Sequence, residues 1–256
     1  MMNASENRQQ VYGVALVFRY CRGLPNVKSV ISIAHLLAQS GLQPARVIAP
    51  NTIQAAPDID ELVVSQYIDR TANNSIVGGL LRDTGFPLEM ELLSASRSRC
   101  VLHWMEFEDG YIQMTLGGWI TAIPQEHRRY KEAFAEILLT TAAKLYPLVR
   151  PEYGFIAASY TDRYPLGQHL FVKKRRIPTL SWVDFFGPEY VAHYGRDVLA
   201  DIPGWRVEDL PDGGLLYQSR ENCVVTDMAA HRRWQKRAAT YLAQHEVSIR
   251  FDYPTD

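Results

Sequence analysis

The sequence has little cysteine and no excess of charge of either sign. Its three cysteines, Cys21, Cys100 and Cys223, are far apart and form no C-x-x-C pair. Neither a disulfide framework nor a zinc or redox motif is therefore predicted, and we expect all three to be small buried residues. Lys and Arg number 27 against 28 Asp and Glu, a net charge of −1. This balance disfavours wholesale phosphate binding, which needs a basic excess, and mimicry of DNA by massed acidic residues.

Long hydrophobic runs are also missing. The longest apolar stretches are interrupted by Arg19, Arg82 or Lys144, so none reaches the roughly 20 residues that cross a bilayer. The first ten residues are polar and lack the order of a secretory signal, and we therefore expect a cytoplasmic protein that does not enter a membrane. The apolar fraction of 47% is far above that of disordered chains. A length of 256 residues suits a single domain over residues 1–256, because single cores grow to roughly 250–300 residues.

Catalytic motifs are absent as well. There is no G-x-S-x-G elbow, no H-E-x-x-H, no phosphate loop and no dinucleotide-binding glycine motif. An acidic residue followed by Glu-x-Lys, the restriction-nuclease pattern, is not found either. We therefore expect no catalytic residues, no metal and no cofactor, and interpret the chain as a binding protein rather than an enzyme.

What the sequence does contain is a succession of short strands and amphipathic helices. Period-two and aromatic-rich segments predict strands over residues 11–20, 88–93, 99–108, 111–119, 153–159, 178–186, 205–210 and 214–219. Helical spacing and capping residues predict helices over residues 27–40, 58–70, 124–148, 188–199 and 228–245. Asp109-Gly110 is a strong hairpin signal between two of the strands.

The order of these elements indicates the fold class. Strands that follow one another in meanders favour α+β, with mainly antiparallel sheet and helices packed on one side. The order of elements is similar in residues 11–150 and 151–253. This similarity leaves open a single domain built from two loosely repeated halves.

His103, Glu106, Glu108 and Asp109 form the one dense group of catalytic residue types. Strand alternation would turn Glu106 and Glu108 to one side and His103 to the other. Two carboxylates can share a divalent ion, which keeps a metal-dependent hydrolase as the alternative function. The simpler interpretation is a solvated strand end, and a third is an acidic edge that binds a basic partner surface.

Two clusters of basic residues also allow more than one interpretation. Residues 173–176 read Lys-Lys-Arg-Arg in a predicted loop, and residues 231–237 place basic side chains on the outer face of the last helix. Either cluster can contact phosphate, which makes a nucleic-acid binder a further hypothesis. No aromatic residues interleave with them in a stacking pattern, so a solvated face is the simpler interpretation.

The most distinctive stretches are residues 180–195, LSWVDFFGPEYVAHYG, and residues 210–218, LPDGGLLYQ. They resemble the immunity proteins of bacterial polymorphic-toxin and type VI secretion systems, in particular the immunity protein 52 family. The shared order is a strand, a helix that opens with Tyr-Val and a hairpin with Pro-Asp-Gly-Gly, matched over about the last third of the chain. The residues that carry the resemblance are structural in type: Trp182, Asp184, Phe185, Gly187, Tyr190, Asp212 and Gly213.

The resemblance implies a single α+β domain that binds and blocks a cognate secreted toxin. In this family the toxin is commonly a nuclease with a restriction-endonuclease-like core. The resemblance identifies no contact residues. Because a nuclease presents a basic groove, we predict toxin contacts at Glu106, Glu108 and Asp109.

The strand within the resembling segment also carries a prediction about side-chain direction. Alternation places Trp182 and Asp184 on one side, and Val183 and Phe185 on the other. An unpaired buried carboxylate would cost several kcal/mol, so Asp184 must be hydrogen-bonded to nearby backbone or to a helix N-terminus, or lie exposed at an edge.

Overall fold

The computed structural model describes residues 9–22, 27–49, 52–55, 88–94, 99–106, 112–122, 127–158, 174–177, 179–247 and 249. The strands are β1 (Gln9–Arg19), β2 (Leu42–Ala49), β3 (Thr52–Ala55), β4 (Leu88–Ser94), β5 (Arg99–Glu106), β6 (Ile112–Ala122), β7 (Tyr153–Ala158), β8 (Val183–Phe186), β9 (Arg206–Asp209) and β10 (Leu215–Gln218). The helices are α1 (Val27–Gln39), α2 (His127–Val149), α3 (Pro188–Tyr194), α4 (Arg196–Ala200) and α5 (Met228–Gln244).

Within these residues the strands form one sheet of ten, in the order β3-β2-β4-β5-β6-β1-β7-β8-β10-β9. All neighbouring pairs are antiparallel. β1 lies near the middle because both of its faces are apolar: Leu16 and Phe18 point to one side, and Val17 points to the other. The predicted α+β class with antiparallel sheet is confirmed.

Two hydrophobic clusters cover opposite faces of this sheet. The first cluster joins Leu16, Phe18 and Phe185 to the inward residues of α1 and α2. The second cluster joins Val17, Tyr153 and Tyr217 to those of α3, α4 and α5. The expectation that the helices pack on one side is therefore wrong. The central strands are apolar on both faces, and each face needs its own cover.

Most predicted elements are present among the described residues, and two strands were missed. β2 and β3 lie in a stretch that contains Pro44, a residue that argues against a regular strand. The structure accommodates Pro44 at a shift of register between β2 and β4. The predicted helix over residues 58–70 and the turn at residues 109–110 lie outside the described residues.

The helix predicted after Pro188 is divided in two. Pro188 begins α3 as predicted, but α3 ends at Tyr194 and α4 begins at Arg196. The residue between them, Gly195, has φ +88° and ψ 139°, a conformation outside the helical region. The helical spacing of apolar residues continues across Gly195, so the sequence pattern did not indicate the break.

Candidate functional site

The segment that carries the resemblance folds around the buried carboxyl group of Asp184. Asp184 lies on β8 and is fully buried. Its Oδ1 is 2.7 Å from the Tyr153 hydroxyl, and its Oδ2 accepts a hydrogen bond of 2.8 Å from the Ser181 N–H. The prediction that a buried Asp184 needs nearby backbone is confirmed by the Ser181 bond. Tyr153, on β7, is a partner that the sequence did not indicate.

Burial favours the neutral form of the Asp184 carboxyl group more than water does. The Tyr153 hydroxyl has one proton but two acceptors within reach, Asp184 Oδ1 and the Thr179 carbonyl oxygen at 3.1 Å. A proton on Oδ1 would be donated to the Tyr153 oxygen, which frees the tyrosine proton for Thr179. Burial raises the pKa of Asp184 from 3.8 to about 7, although the bonds from Tyr153 and Ser181 and the nearby Arg220 lower it.

Trp182 does not lie on the same side as Asp184, which corrects the prediction from strand alternation. Its ring packs in the first cluster together with Val183 and Phe185. The reason is that β8 begins only at Val183, and the chain before it bends so that Ser181 N–H reaches back to the Asp184 side chain. The Trp182 ring N–H donates to the Arg220 carbonyl oxygen at 2.9 Å.

Gly187 and Tyr190 fix the start of α3 against β7. The Gly187 N–H donates to the Glu152 carbonyl oxygen at 2.9 Å. A Cβ at position 187 would lie 2.6 Å from the Pro151 carbonyl oxygen, so this close approach requires glycine. The Tyr190 ring stacks on Tyr153 with centroids 5.4 Å apart, and its hydroxyl donates to the Arg176 carbonyl oxygen at 3.0 Å.

Asp212 and Gly213 form the turn between β9 and β10. Asp212 Oδ1 accepts a hydrogen bond of 3.0 Å from the Gly214 N–H, and Gly213 has φ +90°. These are the features of a side-chain-stabilised turn. Asp212 and Gly213 therefore stabilise the fold, as Asp184, Gly187 and Tyr190 do. These signature residues hold structural positions and do not form a reaction centre.

The acidic group predicted at residues 103–109 is only partly described. His103 is paired with Glu89 on β4 and with Thr115 on β6, and Glu106 is the last residue of β5, opposite Ile112. Glu108 and Asp109 lie outside the described residues. Toxin contact at these three acidic residues therefore stays a prediction. Among the residues that the structure describes, no three or more His, Cys, Asp or Glu side chains lie together as metal ligands.

The first basic cluster is a turn. Lys174, Arg175 and Arg176 are exposed, while Lys173 lies outside the described residues. The backbone of this turn is used internally, because the carbonyl oxygens of Arg175 and Arg176 accept hydrogen bonds from the hydroxyls of Tyr194 and Tyr190.

The second basic cluster lies on α5, which begins as predicted after Asp227. The Asp227 side chain accepts a hydrogen bond from the Ala230 N–H and caps the helix. His231 is buried and its ring stacks on Trp234. Burial lowers the pKa of His231 to about 4, and Arg220 acts in the same direction. The remaining basic residues of the cluster are exposed: Arg232, Arg233, Lys236 and Arg237.

Trp205 is a surface residue that the sequence did not reveal. It was predicted as the first residue of a strand, yet it lies just before β9 with 57% of its surface exposed. Trp205 is two residues after Pro203, whose carbonyl oxygen accepts a hydrogen bond of 2.7 Å from the ring N–H of Trp234 on α5. Only the tertiary structure distinguishes this exposed tryptophan from the buried Trp182 and Trp234.

The buried cysteines agree with expectation where the structure describes them. Cys21 and Cys223 are both buried, and the side chain of Cys100 lies outside the described residues. In the described part of the chain, no helix combines the length and the hydropathy that a membrane span requires.

Comparison of the chain with protein-family models, with curated proteins and with solved structures finds no match.

Proposed function

We propose that this protein is an immunity protein, which binds a cognate secreted antibacterial toxin and neutralises it. The toxin is a nuclease-type effector of a type VI secretion system, and the complex forms in the cytoplasm of the protected cell. The observation that carries the proposal is the resemblance of residues 180–195 and 210–218 to the immunity protein 52 family. The function needs no chemistry from this chain, only a surface that the toxin recognises.

The internal organisation of the resembling segment supports the proposal. Its polar signature groups are engaged within the fold: Asp184 with Tyr153 and Ser181, and Asp212 with the Gly214 N–H. The segment builds a rigid frame, in which β8 is buried at all four positions. A preformed frame suits an inhibitor, because a surface that is already ordered loses little conformational entropy when it binds.

Tight binding neutralises the toxin because the interface covers its active site or substrate groove. An interface of standard size buries roughly 1,600 Å² in total, which is enough to cover an active site or the entrance to a substrate groove. Occlusion then excludes nucleic acid sterically, without any group of the inhibitor entering the reaction. The near-zero net charge of the chain fits binding by shape and a local charged patch.

Coexpression with the toxin encoded beside this chain's gene tests the proposal. We expect the chain to restore growth of a bacterial host that expresses the toxin, to prevent degradation of plasmid DNA and to co-purify with the toxin. A catalytically inactive toxin serves as the control, since it should bind the chain without harming the host. Lack of protection, together with lack of a complex with the inactive toxin, would contradict the proposal.

A further inference from the structure

We propose that the exposed face of α5, together with Trp205, is the surface with which this protein binds an acidic region of its toxin. The inference rests on the proposed function and names the contact surface and its chemistry. The acidic edge at Glu106, Glu108 and Asp109 stays a separate prediction, for contact with the basic groove of the toxin.

The exposed face of α5 carries positive charge only. Its sequence contains Arg232, Arg233, Lys236 and Arg237, and no Asp or Glu. Within the described part of the chain, none of these four forms an ion pair, whereas Arg22, Arg128, Arg196 and Arg206 each contact a carboxylate. Uncompensated charge of one sign on a helix is suited to a partner of opposite sign.

The spacing of these cations works against the stability of the helix itself. Arg232 and Lys236 are four residues apart, as are Arg233 and Arg237, and like charges at this spacing repel. Alternating signs along the face would stabilise the helix instead. The arrangement therefore does not stabilise α5, and an acidic partner surface would compensate the repulsion.

α5 presents this face from a rigid position. The Trp234 ring N–H contacts both the Pro203 carbonyl oxygen at 2.7 Å and the Tyr217 hydroxyl at 3.2 Å. Ala238 and Leu242 continue the same buried stripe into the second cluster. A fixed helix keeps its side chains ready for a partner, which lowers the entropic cost of association.

Exposed apolar residues lie at the same place in the fold. Trp205 is two residues from Pro203, the residue that Trp234 of α5 contacts, so its backbone lies within about 7 Å of that anchor. Met228, the first residue of α5, is also exposed. Tryptophan and arginine are the residues most enriched among binding hot spots, and Trp205 and the arginines of α5 are both exposed.

The surroundings of this face favour a protein over nucleic acid. Burial raises the pKa of Tyr241 on α5, and the carboxylates of Asp201 and Asp197 raise it further, which places both acids near this helix. Glu208 and Asp209 follow Trp205 on β9 and are exposed. Glu208 and Asp209 are paired with Arg206 and Arg196, so the surface beside α5 is of mixed sign, which a protein partner can match.

The experiment compares two charge reversals of equal size on opposite faces of the sheet. One variant carries Arg232→Glu, Arg233→Glu and Lys236→Glu on α5, and the matched control carries Lys28→Glu, Arg129→Glu and Lys144→Glu on α1 and α2. All six residues are exposed. Binding of the catalytically inactive toxin is measured by calorimetry, and circular dichroism verifies that both variants are folded.

We expect the α5 variant to bind the toxin about 100-fold or more weakly and the control to bind within about threefold of the unmodified chain. Trp205→Ala should weaken binding by about tenfold or more without changing the thermal midpoint, because the ring is largely exposed. Added salt should weaken the unmodified complex more than the complex of the α5 variant.

Each other outcome contradicts a different statement. If the unmodified chain fails to bind the toxin, both the proposed function and this assignment are wrong. If the unmodified chain binds and the α5 variant binds equally well, the assignment alone is wrong. Loss of binding in a Glu106→Lys, Glu108→Lys, Asp109→Lys variant, with the α5 variant unaffected, would assign the toxin contact to the acidic edge instead. Binding of duplex DNA that the α5 variant loses would identify a nucleic-acid surface instead.

Discussion

The carboxyl group of Asp184 lies in the core with a hydroxyl and a backbone N–H as its hydrogen-bonding partners. Asparagine at this position reproduces the neutral acid: its amide nitrogen can donate to the Tyr153 oxygen, and its carbonyl oxygen can accept from the Ser181 N–H. In the ionised form the Tyr153 hydroxyl donates to Asp184 Oδ1 instead, so the Thr179 carbonyl oxygen loses the tyrosine proton.

Asp184→Asn should therefore change how stability depends on pH. The pKa of Asp184 is raised to about 7 in the folded protein, from 3.8. Between these values the folded state keeps a proton that the unfolded state releases, so the free energy of unfolding falls as pH rises. We expect the variant to become more stable relative to the unmodified chain by about 3 kcal/mol between pH 5 and pH 8.

Urea unfolding of both chains at several pH values measures this gain. His231, whose lowered pKa makes stability rise with pH, is present in both chains, so its contribution cancels in the difference. An equal pH dependence of the two chains would contradict a neutral Asp184. A variant that is strongly destabilised at every pH would do so as well.

At the scale of elements, the break between α3 and α4 shows how one residue overrides a helical pattern. Tyr190 and Leu199 are both buried in the second cluster, and their spacing suggests one continuous helix. Gly195, at φ +88°, instead directs the chain into a second short helix whose Leu199 reaches the same core. Only glycine adopts this conformation without strain.

Gly195→Ala should thus be destabilising by about 1–3 kcal/mol. Gly117→Ala on β6 is the matched control, since Gly117 does not have a positive φ and its Cβ would meet the Cβ of Ala15 at an ordinary 3.5 Å. We expect the control to stay within about 1 kcal/mol of the unmodified chain. Thermal unfolding of the two variants checks the difference, and equal midpoints would contradict it.

For the molecule as a whole, the continuity of the sheet joins the first half of the chain to the second. β7 pairs with β1 on one side and with β8 on the other. The Phe18 ring of β1 makes edge contacts with Tyr146 of α2 at 6.1 Å and with Phe185 of β8 at 5.2 Å. The shared core indicates that the two halves stabilise each other.

We accordingly expect a single cooperative unfolding transition. Phe18→Ala should lower the free energy of unfolding by about 3–5 kcal/mol. Arg22→Ala is the control: Arg22 contacts Glu152 and Glu189 across the two halves, but it is exposed, and such pairs contribute at most about 1 kcal/mol. Calorimetry together with tryptophan fluorescence measures both variants. Two separate transitions in the unmodified chain would contradict the single domain predicted over residues 1–256.

The similarity of the two halves stays a prediction. β1 and β8 run parallel, since each is antiparallel to β7 between them. The helix after β1 contributes to the first cluster, and the helix after β8 contributes to the second, on the opposite face. A two-fold axis along the strands would relate two copies of one unit in this way.

The sequence by itself determined the elements whose signals are local. Aromatic and β-branched residues identified β1 and the stripe of apolar residues identified α2, because neighbouring residues make these contacts. The cap of α5 was predicted at either Thr226 or Asp227, and the structure has Asp227 as the cap. It also limited the mechanism, since a net charge of −1 left only a local patch for electrostatic binding.

The tertiary structure alone decided which faces of the sheet are covered, which tryptophan is exposed and how Asp184 is satisfied. Tyr153 is 31 residues from Asp184, and Pro203 is 31 residues from Trp234. Such contacts depend on the order in which strands pair, which no local pattern encodes. Trp205 illustrates the result: the sequence placed it on a predicted strand, and only the tertiary structure shows that 57% of its surface is exposed.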